Sequence, residues 1–180
     1  MDVFHLASDH VWKAAPGCRI LVLDHGGLRL DIPCEWIVYP RSRHVFAIDR
    51  FPPDDQMLLA ISCRRVAPEV TGIPLLSILE EWVKCEDRVV QETGPPISIR
   101  RWPMEALWLQ VHVTDPDSGR QRWTRLCAAR ADLTQAFFAF EFDPGQKASC
   151  DPVWTTLIET LVIGDYILDP ATGRRRMTRG

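Results

Sequence analysis

No two of the six cysteines stand at C-x-x-C spacing, and none of the five histidines falls at a zinc-ligand interval beside them. That absence excludes the common structural zinc patterns and leaves Cys18, Cys34, Cys63, Cys85, Cys127 and Cys150 as expected reduced thiols. No apolar run approaches the ~20 residues that a membrane-crossing helix needs, because charge or proline interrupts each candidate. The opening residues MDVFHLASDHVWKAAPG carry acids and histidines where a signal peptide needs a basic start and an unbroken apolar run, which predicts a cytoplasmic protein with no membrane insertion. No charge of one sign dominates: 21 basic residues against 24 acidic ones give −3, so there is no global field to gather nucleic acid. No linker or internal repeat divides the chain. Nor is there a nucleophile motif, a phosphate-binding glycine loop or a metal-ligand set, so no catalytic residue, metal or cofactor is expected.

What is present describes an ordinary globular domain. The 180 residues are 46% hydrophobic and 25% charged, enough to bury one core without staples. RILVLDHGGLRLDIP reads as a hairpin turning at Asp24-His25-Gly26-Gly27. CEWIVYPRSRHVFAIDRF and QMLLAISCRRV, separated by Pro52-Pro53-Asp54-Asp55, read as a strand pair, the latter with Met57, Leu59, Ile61 and Cys63 alternating on one face. The period then changes. Leu75, Leu79, Trp82 and Val83 recur at helical spacing with Glu80, Glu81 and Lys84 opposite them, and Pro74 suits the first turn. A three-strand meander follows through SIRRWPMEALWLQVHVTD, RQRWTRLCAARA and TQAFFAFEF, and Asp151-Pro152 reads as the start of a closing helix. The prediction is an α+β fold: a central antiparallel sheet of six to seven strands with helices packed on it. Residues 1–18 are expected to be an extension, 19–169 the domain and 170–180 a basic tail.

This element order, together with Gly27, Pro33 and Trp36 in GLRLDIPCEW, resembles the PsbP-like fold group, which includes PsbP, the Ran-binding Mog protein and DcrB-like proteins. The resemblance spans residues 19–168. It implies a binding, assembly or chaperone-like role and carries over no catalytic residue.

The turns of the meander also predict a register. Thr114 opposite Arg120 and Ala131 opposite Thr134 place Leu107, Leu109, Val111 and Val113 on one core face with Trp123, Cys127, Phe138, Phe140 and Phe142. Arg125 falls in that same stripe and must find water or a carboxylate, unless a bulge turns it away. The opposite face then gathers Trp108, Gln110, His112, Arg122, Thr124 and Glu141, a candidate ligand or partner site in which the indole is a flat wall and the charged groups meet an anion. Trp36 and Trp102 are predicted exposed interface aromatics. The functional expectation is a binding or adaptor domain for a protein or peptide, with an edge strand as a route to homo-oligomers. The alternative is a small hydrolase whose pocket holds His112 and Glu141.

Overall fold

The computed structural model describes residues 10, 12–42, 44–169 and 174–175. The opening hairpin is β1 (Cys18–Leu23) and β2 (Leu28–Pro33). Next come β3 (Ile37–Arg41), β4 (His44–Ile48) and β5 (Met57–Arg65), then helix α1 (Leu75–Lys84). Strands β6 (Val89–Thr93), β7 (Ile97–Arg101), β8 (Met104–Thr114), β9 (Gln121–Ala131) and β10 (Thr134–Phe142) follow. Helix α2 (Lys147–Thr160) and the short strands β11 (Val162–Ile163), β12 (Ile167–Asp169) and β13 (Arg174–Arg175) end the described chain.

The fold is α+β, as the hydrophobic periods predict, but the strands divide between sheets. The main sheet has eight strands in the order β3-β4-β5-β10-β9-β8-β6, with β7 beside β6 on the outer edge of β8. Every pairing in it is antiparallel. The opening hairpin does not join it; β1, β2 and β11 form a separate three-stranded sheet. Its turn needs glycine: Gly26 has φ +88°, and a Cβ there would lie 2.7 Å from the Asp165 carbonyl oxygen.

The small sheet and α2 cover one face of the large sheet. On that face Leu59, Ile61, Phe138, Phe140 and Phe142 meet Leu28, Leu30 and Ile32 from below and Trp154 and Leu157 from α2, all fully or almost fully buried. Phe140 lies parallel to Trp154 at 5.8 Å. Trp36, expected on the surface, is only 3% exposed and packs its ring 6.1 Å from Phe140, because the turn after β2 directs it inward and Arg19 donates to its carbonyl. Trp102, in the β7–β8 turn, is 98% exposed. Among the described α-helices, α1 alone packs on the other face, where its Leu75 and Leu79 sit on Leu109, Val111, Val113, Leu126 and Ala128.

α2 begins at Lys147, four residues before the expected cap, and holds Pro152 inside its second turn. Proline there removes one amide donor from the helix ladder. Asp151 consequently does not cap; its carboxylate accepts from Arg125 Nη2 and, at 2.9 Å, from Lys147 Nζ. Arg125 is 3% exposed, stands in the stripe of Phe140 and Phe142, and donates through Nε to Gln110 Oε1 at 2.9 Å. Its guanidinium also lies over the rings of Trp108, Phe142 and Trp154 at 5.0–5.8 Å. At the other end, Arg101 donates to the carbonyls of Ile158 and Glu159, satisfying the last turn of α2.

Phe140→Ala removes a wholly buried ring packed against three others and is expected to cost about 3–5 kcal/mol in urea unfolding. The hydrogen bond from Arg125 holds Asp151 below the usual carboxylate range. Asp151→Ala strands the buried guanidinium and is expected to cost about 1–3 kcal/mol at pH 7, reduced by the partial exposure of the carboxylate. Arg125→Met is expected to cost less, since it keeps apolar volume and leaves Asp151 with Lys147 and water. The folded pKa of Asp151 is depressed, so its contribution is complete above the unfolded value near ~4 and is lost as pH falls through the folded one. The gap between wild type and Asp151→Ala, followed by unfolding from pH 7 to pH 2.5, should close at the acid end.

Candidate functional site

The structure separates the six clustered residues expected on one face of the meander. Ala131 does pair with Thr134, but Thr114 pairs with Gln121 rather than Arg120. The turn closes one pair further out: Asp115 N donates to Arg120 O at 2.9 Å, and the Asp115 carboxylate accepts from the amides of Asp117 and Ser118 inside the loop. A one-residue slip exchanges the faces of a whole strand. Trp108, Gln110 and His112 therefore share the α2 face with Trp123 and Arg125. Arg122, Thr124 and Glu141 share the α1 face with Leu109 and Val111. His112 and Glu141 point to opposite sides of the sheet and cannot form one hydrolytic pocket.

Trp108, Gln110, Trp123 and Arg125 line a cleft of about 580 Å³ between the first turns of α2 and the Gly94-Pro95 link of β6 and β7, and His112 is not part of its lining. Trp108 meets Trp154 edge to face at 5.4 Å, and His112 stacks on Trp123 at 4.6 Å. Gln110 spends its carbonyl oxygen on Arg125, and Asp151 is held by two cations. The polar groups of this cleft chiefly fasten α2 to the sheet.

The Arg122 group is paired in part, with Arg122 Nη1 and Thr124 Oγ1 buried and without a hydrogen-bond partner among the described residues. Arg122 reaches Asp55 at 3.3 Å and Asp143 at 3.2 Å. Glu141 accepts from Arg88 at 2.7 Å, and Arg88 also binds Glu86, whose carboxyl that hydrogen bond holds below its ordinary pKa. Thr124 is wholly buried.

The larger concavity lies where no candidate residue was expected. On the α1 face the helix rests over β8 and β9 and leaves β10, β5 and β4 open, forming a groove of about 1300 Å³. Its floor is small: Ala139 pairs with Ala60, which pairs in turn with Phe46, and in the next row Phe137 pairs with Ser62. One wall is α1, with Ser77, Ile78, Glu81 and Trp82; Trp82 meets Phe137 edge to face at 5.9 Å. The other is Phe46 stacked on Tyr39 at 5.5 Å. The Arg88–Glu141 pair bounds one end of this face, and His44 and Arg64 stand at the other, with the Arg64 guanidinium 5.5 Å over Phe137. The sequence signal for this groove is the alternation of Ala60, Ser62, Phe137 and Ala139 on the face opposite the core stripe. Among the described residues no three His, Cys, Asp or Glu side chains gather as a metal site, and no helix is long and apolar enough to cross a membrane.

Comparison with known proteins gives the lineage. In solved structures the fold matches the cyanobacterial PsbP of Synechocystis sp. PCC 6803 (TM-score 0.64, 10% identity, covering 87% of this chain and 97% of that one). It also matches LpqN of Mycobacterium tuberculosis, described as involved in cell envelope biogenesis (TM-score 0.54, 11% identity, 81% and 89% covered). At such identities these likenesses establish the PsbP-like fold alone. The Alr1449 protein of Nostoc sp. strain PCC 7120 is 32% identical over 174 residues, 96% of this chain and 91% of its own. The Alr1449 family model matches residues 19–167, and with that match the chain belongs to the Alr1449 family.

Proposed function

We propose that this protein is a non-enzymatic binding domain that holds a protein or peptide partner in the groove beside α1. The observation that carries this reading is the half-covered sheet face: an apolar concavity, walled by Trp82 and Phe46 and floored by Ala60 and Ala139, that the described chain leaves open. Grooves of this kind, apolar with a few polar rim groups, are where proteins take up ligands and partner segments. The PsbP-like fold agrees with a protein-interacting domain. Trp102, fully exposed on the turn between β7 and β8, is a second proposed contact for a large partner. A cytoplasmic location goes with this reading, since the six cysteines are free thiols as a reducing compartment leaves them.

The test is comparative capture. Ala139→Arg puts a charge on the groove floor, whereas Lys147→Ala alters the opposite face. At least one protein is expected to be retained from native lysate by the wild type and by Lys147→Ala, and to fall more than tenfold with Ala139→Arg at an unchanged thermal midpoint. An identical set of retained proteins for all three chains removes the groove from the function. Turnover in an ester and amide hydrolysis screen would replace binding by catalysis.

A further inference from the structure

Resting on the groove reading, we infer that the occupant is an amphipathic α-helix with an acidic flank, presented by a partner protein and lying alongside α1. The first argument is hydrogen bonding. β5 and β10 are paired on both sides and β4 lies between β3 and β5, so the groove presents side chains and no free backbone ladder. An extended segment laid on it would bury unpaired amides at about 1–3 kcal/mol each. A helix satisfies its own backbone and asks the groove only for apolar contact.

The second argument is size. α1 sits between β8 and β9, and the open floor centred between β10 and β5 is two strand spacings away. That is about 10 Å, within the usual distance between the axes of two packed helices. Along β5 the lining runs from Ala60 to Arg64, four residue steps or about 13 Å, which about nine residues of helix span. The small side chains of Ala60, Ser62 and Ala139 leave depth for leucine-sized knobs between the rings of Phe46 and Phe137.

The third argument is charge. Arg41 pairs in register with His44, and with Arg64 they form a basic rim on the sheet side. Neither arginine has a carboxylate within ion-pair distance among the described residues. On the helix side Glu81 is already matched by Lys84 at 3.5 Å. Acidic residues along the flank that faces β4 and β5 complete this arrangement.

The probe is an acetylated 14-residue peptide with leucines on one helical stripe and glutamates on one flank. It is compared with a peptide of the same composition with the leucines scattered, and with one carrying lysine for glutamate. Amide chemical-shift changes should be confined to α1, β4, β5 and β10, and the bound peptide should gain helical circular dichroism. The scattered peptide should bind at least tenfold more weakly. Ala60→Trp, which fills the trough, should abolish binding. Arg64→Glu, a change at an exposed position that leaves the fold intact, should turn the preference toward the lysine peptide. Equal binding of the scattered peptide in the groove without gained helicity overturns the helix and leaves the groove reading standing. No shift in the groove with any peptide overturns both. Shifts that appear without peptide and grow with protein concentration assign the groove to a second copy and overturn a partner helix.

Discussion

An antiparallel sheet has two faces, and burying both is the demand on which the rest of this structure depends. The eight-stranded sheet is too broad for one ten-residue helix, so the chain divides its cover unequally. One face receives α2 and a whole second sheet, and there the aromatic stripe of β10 is enclosed between Trp36 and Trp154. The other receives α1 over β8 and β9 alone. Because apolar burial is the main favourable term in folding, the enclosed face supplies most of the stability. The half-open face is then available for other uses.

One charged residue interrupts the enclosed face, and its treatment organises the packing around it. Arg125 occupies a position that the β9 alternation assigns to the core. A lone guanidinium there would be prohibitive, so two of its nitrogens are met by Gln110 on the next strand and Asp151 on α2, and the ring faces of three aromatics surround the rest. Such a pair adds little net stability against an apolar substitute, but it has a single geometry. It fixes the rotation of α2 on the sheet, as Arg101 fixes its far end. The tryptophan-bordered cleft beside it is the outer surface of this fastening.

Much of this was legible in the residues. The change from period two to period 3.6 places α1, the alternation places β5, β9 and β10, and Arg125 in the stripe of Phe138, Phe140 and Phe142 calls for water, a carboxylate or a bulge, of which Asp151 supplies the carboxylate. The losses came from places where local signals are shared by different geometries. Asp-Pro reads as a helix start, yet α2 had already begun at Lys147 and absorbed the proline. RRWPM reads as continuous strand, but its Trp102-Pro103 is the turn between β7 and β8. The DPDSG loop admits two closures that differ by one residue, and that difference moved Trp108, Gln110 and His112 through the sheet. A site inferred from one face of a meander is only as secure as its least determined turn.

The slip also explains why the groove was hidden. A register one residue off turns the leucines and valines beneath α1 into the aromatic core, which leaves a single apolar face opposite a polar one. In the true register both faces are apolar, and what needs explaining is the open part of the second. A contiguous apolar floor is a liability unless something limits what can settle there. Here β4, β5 and β10 are interior strands with their ladders complete, so pairing of an added strand over the floor is excluded, and the basic rim disfavours cationic surfaces. The surface that remains admissible is one that carries its own backbone hydrogen bonds, an apolar stripe and negative charge, which is a narrower specification than a bare hydrophobic patch would give.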